Sequence, residues 1–466
     1  MNMIPEFAVV GHPNEGKSSV VSTLTEDDQI KISPVPGETV RSTYYTVKID
    51  GREIIRFIDT PGFQVPRQAL AWFKSCKSSQ DKIIDDFIAN FKSDPFFADE
   101  CELLAPIARG AGIIYVVDAS RPVREDDLAE MEILRLTGRP RMAVINSKNS
   151  EKDYTAQWKQ EFRKQFNVIR VFNSNTACFS ERMRMLESLR AIDQEWENDL
   201  TEVIQAFEQD WEKRNQLAAS YISETIGKCL SFSLSRAISD KENIEHISQG
   251  LNEKYQAHIK KLEKQMFNRI RGLFKHQLYE YRLPEASILQ YDLFSKQTWE
   301  FLGLTQKQLT AAGAIAGGTV GAAVDVATAG ISFGVFSVLG GVLGAGSTLF
   351  GAKKLSGRPA VGSWFGGDKF KLGPNKNPQF LYILLDRVLI YYAHMVSRPH
   401  GRRDQVDMFF EKNTSRKGYS SHFSSDQTHI CNRFLKTASG QSIIKDKKAF
   451  PDFERFIEKK LNEISR

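Results

Sequence analysis

The chain has 466 residues, of which 26% are charged and 41% hydrophobic, and its mean hydropathy of −0.36 excludes both a polytopic membrane protein and a wholly disordered chain. Five scattered Cys without CxxC spacing exclude a disulfide scaffold and a Cys-rich zinc module, and fit a reducing compartment. The net charge of +6 is uneven: residues 353–466 carry 22 Lys and Arg against 11 Asp and Glu, so the rest of the chain is net negative and the basic end is either a solvated surface or a face for an anionic partner.

At roughly 100–200 residues per domain the length corresponds to several domains. The N-terminus, MNMIPEFAVVGH, shows no basic segment followed by a long apolar run, so no secretory signal is expected and the expected compartment is the cytoplasm. Residues 1–190 alternate short β-branched runs with helical stretches. Phe7–Val10 is an apolar run that ends at a Gly-rich turn. Tyr44–Ile49 and Ile54–Ile58 flank Asp50-Gly51, a hairpin signal. Ile113–Val117 and Met142–Ile145 are continuous apolar runs, the pattern of strands buried on both faces, and Val168–Phe172 is a further strand. Helical patterns at 123–138 and 152–166 lie between them. The fold class expected is a mostly parallel α/β sheet with one antiparallel hairpin. The interval 63–112 is a helical insertion, with helices at Gln68–Phe91 and Phe97–Arg109.

Residues 191–305 are charged and helical in period, as a bundle or a stalk, with Pro284 ending the run. Residues 306–355 are Gly- and Ala-rich. Between 309 and 352 there is one charge, Asp325, and 11 Gly, with small residues at four-residue spacing, as at Gly313, Gly317 and Gly321. Two readings stand: a membrane-inserted helical hairpin held by close backbone approach, or a tightly packed helical hairpin inside a soluble domain. In the first, Lys353 and Lys354 lie on the cytoplasmic side of the inner membrane. Residues 356–375 read as a loop, Phe380–Val396 as a core helix, and 356–466 as a whole as a basic, mainly helical end. His394 and His400 with the adjacent arginines read as a basic helix end rather than a metal site.

The sharpest signal is Gly11-His12-Pro13-Asn14-Glu15-Gly16-Lys17-Ser18, a GxxxxGK[ST] loop that follows a strand and opens a helix. Its glycines let backbone N–H groups face phosphate oxygens, Lys17 reaches the β/γ-phosphates and Ser18 ligates Mg²⁺. The nucleotide-binding set is Gly11, Asn14, Glu15, Gly16, Lys17, Ser18 and Ser19 from this loop, with Asp59, Asn146 and Lys148. Asp59-Thr60-Pro61-Gly62 ends the next parallel strand, where Asp59 holds Mg²⁺ through water and Gly62 offers its N–H to a γ-phosphate. Thr39, in PVPGETVRS, is the switch-segment candidate for a Mg²⁺ ligand. The expected catalytic set is Lys17, Thr39 and Gly62. The metal set is Ser18, Thr39 and Asp59.

GHPNEGKSS, PGETVRS and DTPG resemble the Era/TrmE branch of bacterial small GTPases over about residues 5–190. The rest, through VVDASRPVREDD, EMEILRLTGRPRMAVIN, the Gly/Ala segment and LLDRVLIYYAHMVSRPHGRRD, resembles a bacterial family in which such a GTPase domain is fused to a C-terminal domain of unknown function. The resemblance implies GTP as substrate. Two departures bear on it. Asn146-Ser147-Lys148-Asn149 stands where NKxD reads guanine, so an ATP or relaxed purine preference stays open. Phe63, after DTPG, cannot orient water. In potassium-activated members of the branch the position of Asn14 helps hold K⁺, so stimulation by K⁺ and by dimerisation is an expectation, beside a purely loop-stabilising Asn14.

The function expected is a GTPase switch hydrolysing GTP slowly, with its output in the helical C-terminal region at a membrane or in an assembly. The alternative is a soluble nucleotide-dependent scaffold with relaxed purine specificity and little turnover. Expected partners are guanine nucleotide, inner-membrane lipid through 309–352 in the membrane reading, and a second copy or another protein. No nucleic-acid motif is present.

Overall fold

The computed structural model describes residues 4–26, 41–146, 153–173, 179–238, 244–274, 287–303, 352–355, 358–361, 368–397, 418–441 and 446–465. Its first unit is a six-stranded sheet built from β1 (Glu6–Val10), β2 (Thr43–Ile49), β3 (Arg52–Asp59), β4 (Gly112–Asp118), β5 (Arg141–Asn146) and β6 (Val168–Phe172). The spatial order is β2-β3-β1-β4-β5-β6, and only β2–β3 is antiparallel. That pair turns at Asp50 and Gly51, both at positive φ (49° and 80°), the conformation a two-residue Asp-Gly hairpin requires. β4 is buried at every position. It has helices on both faces, which is why its sequence is a continuous apolar run rather than an alternating one. The chain leaves β1 toward β3 on one side and β4 on the other, so the C-terminal end of β1 is a topological switch point, where open α/β sheets bind ligands.

The helices are α1 (Lys17–Thr25), α2 (Pro66–Ser75), α3 (Ile83–Phe91), α4 (Ala98–Ala108), α5 (Glu125–Leu136), α6 (Thr155–Phe162) and α7 (Phe179–Arg190). The single helix expected over Gln68–Phe91 is two, α2 and α3. The stretch Lys77-Ser78-Ser79-Gln80-Asp81 between them is rich in turn formers, and Ser78 bonds Asp86 at 2.5 Å instead of continuing the helix. α2, α3 and α4 close over a layer of Phe73, Phe87 and Phe97, with the Phe73 and Phe87 rings stacked at 5.1 Å.

α8 (Glu197–Ser231) is 35 residues long, about 50 Å at 1.5 Å per residue. Its first third buries Leu200, Val203, Ile204 and Phe207 beneath the sheet, against Val20, Leu24, Phe57 and Ile114. Its remainder buries Ala218, Ile222, Ile226 and Leu230 in a second core, with Phe380, Leu384, Phe434 and Ile457. Around that second core stand α9 (Ile244–Leu273), α10 (Lys296–Phe301), α11 (Pro378–Val396), α12 (Ser425–Ala438) and α13 (Ala449–Ser465). α11 is the core helix expected: Phe380 to Leu385 are at most 1% exposed. Its two charges are satisfied inside. Asp386 accepts from the Gly303 N–H and from the N–H and hydroxyl of Ser420, each at 2.7 Å. Arg387 pairs with Glu263 at 2.6 Å and donates to the Tyr291 carbonyl at 3.0 Å. A buried charge left without such partners would cost several kcal/mol. His394, at the end of the same helix, is buried, and burial pushes its imidazole down to about 4. His400 lies outside the described residues. Among the described residues no group of three or more His, Cys, Asp or Glu is placed to hold a metal.

β7 (Leu234–Ile238) pairs antiparallel with β10 (Asp368–Leu372), and β8 (Ala352–Leu355) with β9 (Arg358–Val361). These four strands fall where the sequence predicts helix (β7), the Gly/Ala-rich hairpin (β8) and loop (β9 and β10). The pairing partners of β7 and β10 are more than a hundred residues apart, so no local pattern announces them. α9 ends at Leu273, short of Pro284, which lies outside the described residues together with 304–351. The expectation of a hairpin over 309–352 falls almost wholly on that undescribed stretch. No helix among the described residues is long and apolar enough to cross a membrane.

Candidate nucleotide site

The loop between β1 and α1 is shaped by three left-handed positions: Gly11 at φ 142°, Asn14 at 67° and Gly16 at 92°. Asn tolerates that region better than most residues. A Cβ on Gly11 would lie 2.3 Å from the Val116 carbonyl of β4, so only glycine lets the loop leave the sheet here. Gly16 caps α1 with no side-chain hydrogen bond, which leaves the first amides of the helix facing out as anion donors. The Lys17 ammonium donates to the carbonyls of Gly11 (3.1 Å) and His12 (3.0 Å), which hold it inside the loop. Burial lowers its pKa, and the charge of Asp59 opposes that shift. Ser19 is buried behind the loop.

The second loop completes the site. Val9 of β1 stands in parallel register with Asp59 of β3, so Asp59 comes out of the sheet beside the start of α1. The Ser18 hydroxyl donates to Asp59 Oδ2 at 2.6 Å. Asp59 is 3% exposed and burial raises its pKa, against the Ser18 bond and the Lys17 charge. Its other oxygen, Oδ1, is buried with no hydrogen-bond partner among the described residues. An oxygen-only pair with one unused carboxylate oxygen is the donor chemistry Mg²⁺ takes, so these residues fit that ion. The Thr60 hydroxyl donates to the Val9 carbonyl at 2.7 Å and pins the loop to β1. A Cβ on Gly62 would lie 2.6 Å from Pro13 N; the two loops touch there. Phe63 is fully buried in the layer with Phe73 and Phe87, so its side chain is a core anchor.

On the far side the loop is tied down by charge. Glu15 is 3% exposed. Its carboxylate accepts from the backbone N–H of Asp118 and, at 2.7 Å, from Arg121 Nε. Arg121 also forks onto Asp127 with two bonds of 2.7 Å and lies over the Trp158 ring. The Glu15 side chain is therefore spent on the frame. Asn146, at the end of β5, donates to the Glu15 carbonyl at 3.1 Å, joining β5 to the loop. His12 Nδ1 lies 3.0 Å from Glu130 Oε1, and the Tyr115 hydroxyl donates to Glu130 Oε2 at 2.9 Å. Arg121, Asp127 and Glu130 were not singled out from the sequence. The charged run Arg121–Glu130 was a visible signal, but nothing local tells a buried fork from a solvated face.

The structure thus brings Gly11, Asn14, Glu15, Gly16, Lys17, Ser18, Ser19, Asp59, Gly62 and Asn146 to one end of the sheet. Thr39 and Lys148 lie outside the described residues, as do Ser147 and Asn149.

Residues 6–147 match the family model described as 50S ribosome-binding GTPase. Residues 159–462 match the one described as domain of unknown function DUF3482, which begins within α6. The chain is 27% identical to a GTPase Der of Bacteroides thetaiotaomicron over 204 residues, 43% of this chain and 41% of that one. It is 26% identical to a probable GTP-binding protein EngB of Xylella fastidiosa over 197 residues, 41% of this chain and 84% of that one. It thus spans about two fifths of the length of that Der relative. A solved Aquifex aeolicus Era variant bound to GDP·AlF4⁻ aligns at 15% identity over 58% of this chain and 89% of that one, with a TM-score of 0.27, a likeness too slight to carry argument. The chain belongs to the DUF3482 family and carries at its N-terminus a P-loop GTPase domain that matches the 50S ribosome-binding GTPase family model.

Proposed function

We propose that this protein is a Mg²⁺-dependent GTP switch whose nucleotide state is passed to the helical region through α8. The observation that carries the reading is the Ser18–Asp59 bond of 2.6 Å beside the buried, carbonyl-held Lys17. In this reading the amides at the start of α1 bind the phosphates, Lys17 neutralises their charge, and the Gly62 N–H receives the γ-phosphate. Ser18 and Asp59 would hold Mg²⁺, with Thr39 as a further ligand. The ion supplies electrostatic stabilisation of the charge that develops on the phosphates. Phe63 places no polar group on the attacking water, so turnover is slow, and Asn14 is the position at which K⁺ would act. Asn146 shapes the base side, with Lys148 beyond it.

The output path is supported by Glu26, which ends α1 in the left-handed region. Its carboxylate pairs with Arg182 of α7 at 2.5 Å and with Arg214 of α8 at 2.8 Å, and all three side chains are at most 7% exposed. The helix that opens at Lys17 is thus bonded at its other end to the helix shared by both cores.

Calorimetry with GTP, GDP, ATP and ADP in Mg²⁺ tests the reading. A guanine preference, with loss of binding in Lys17→Ala, is expected. Equal or tighter adenine binding would reassign the protein as a P-loop ATPase. The membrane output rests on 309–352 alone. Retention in carbonate-washed membranes would support it, and full release would leave the assembly with a second copy or another protein.

A further inference from the structure

One helix of the insertion bonds both the loop that follows Gly62 and the residue that leads into β2. Glu100, on α4, is fully buried. Its Oε1 accepts from the backbone N–H groups of Gln64 and Val65, both at 2.7 Å, two and three residues past Gly62. Two positions along the helix, Glu102 Oε1 accepts from the Ser42 N–H at 2.9 Å, and the Glu102 carbonyl accepts from the Ser42 hydroxyl at 3.0 Å. Ser42 follows Thr39 by three residues. At the end of α4, Arg109 bonds the Tyr44 hydroxyl and lies 6.0 Å from the centre of its ring. Residues i and i+2 point to different sides of a helix, so α4 reaches the Gly62 loop and Ser42 with different carboxylates.

The Glu100 carboxylate is an expensive way to satisfy two amides. Burial raises its pKa, and its Oε2 is buried with no partner among the described residues. What the position gains is a charged acceptor, roughly twice as strong as a neutral one, set directly behind the loop that carries Gly62. Phe63 anchors the same loop in the core from the other side. The loop is therefore fixed at consecutive residues, and a displacement of about 1 Å at such a site can cost on the order of 10²-fold in rate.

We propose that Glu100 and Glu102 are positioning residues for GTP hydrolysis, through which α4 sets the spacing of the Gly62 loop and the Ser42 entry to β2. The inference rests on the GTPase reading above. It gives the insertion a role: α4 is tied to the Gly62 loop and to the start of β2 at once, so anything that moves α2–α4 alters turnover.

The test uses the full chain. Single-turnover GTP hydrolysis and the affinities for GDP and a non-hydrolysable GTP analogue are measured for wild type, Glu100→Ala, Glu100→Gln and Glu102→Ala. Glu100→Ala is expected to lower the rate at least tenfold. It should also lower the analogue-to-GDP affinity ratio several-fold, with GDP affinity within twofold of wild type. Glu100→Gln keeps an oxygen for both amides and should recover most of the rate. Glu102→Ala should reduce rate and ratio about threefold. A general packing defect would weaken GDP and analogue alike, and that result overturns the proposal. So does Glu102→Ala with unchanged rate and ratio, which decides alone if Glu100→Ala does not fold. Wild-type protein that binds GTP without hydrolysing it would refute turnover in the function reading instead, and the affinity ratio would still decide the α4 clamp.

Discussion

Glu130 makes the stability of the nucleotide domain depend on pH in a direction that can be worked out. It is fully buried on α5, and burial pushes its carboxyl up to about 7, against the bonds from His12 and Tyr115. At about 1.4 kcal/mol per pKa unit, the rise from the ordinary 4.5 to about 7 makes the ionised form cost the fold about 3 kcal/mol. The hydrogen bond to Glu130 raises the pKa of His12 above 6.5. Both groups hold a proton more tightly when folded than when unfolded. The stabilisation from Glu130 is complete below pH 4.5 and lost as pH rises through about 7. That from His12 is complete below pH 6.5 and lost as pH rises through its higher folded value. The two losses share a direction and overlap near neutrality. Glu130→Gln removes the titrating carboxyl and keeps an oxygen for the Tyr115 hydroxyl. Urea unfolding of both proteins from about pH 5 to 8.5 should therefore show wild type losing roughly 2–3 kcal/mol relative to the variant across that range. Two parallel stability curves with a constant offset would refute the reasoning.

Three further outcomes are expected. Gly62→Ala must push the two loops apart by several tenths of an ångström, because its Cβ would lie 2.6 Å from Pro13 N; at least a tenfold drop in single-turnover hydrolysis with unchanged circular dichroism is expected, and a wild-type rate would contradict it. Asp59→Asn removes the charge beside Ser18 and should raise the Mg²⁺ concentration needed for half-maximal GTP binding at least tenfold, read by a Mg²⁺ titration. Glu26→Gln strips the buried Arg182 and Arg214 of their shared carboxylate and should destabilise by roughly 3–5 kcal/mol, seen as a lowered denaturant midpoint.

The nucleotide domain was legible because its signals are local. Runs such as Ile113–Val117 have one reading, a strand covered on both faces, and the observed β4 extends that run by a residue at each end. Lys17 and Ser18 were placed by a motif whose geometry is fixed by its own glycines. Glu15 shows where this stops: its loop position is in the motif, but its tie to Arg121 depends on a residue 106 positions away. Nothing in the sequence of α4 sets Glu100 or Glu102 apart from the other charges of an ordinary helix, and their partners Gln64 and Ser42 lie in loops with no pattern of their own. The β7–β10 pair escaped for the same reason, since Leu234–Ile238 carries too little alternation to stand out between two long helices.

The division of α8 between two cores bears on how the chain comes off the ribosome and on how it can be cut. A fragment ending near residue 190 keeps every strand of the nucleotide domain but lacks Leu200, Val203, Ile204 and Phe207, the side chains that cover Val20, Leu24 and Phe57. It also lacks Trp196, whose ring fills the space beside Gly112 that a Cβ would otherwise occupy and packs edge-on against Phe7. Such a fragment exposes a greasy underside and is a poor crystallisation target, whereas one extended past Phe207 carries its own floor. During synthesis, likewise, the nucleotide domain is not finished when its last strand emerges. It must wait for about 35 more residues, and by then the newest of them already belong to the helix on which the second half will assemble.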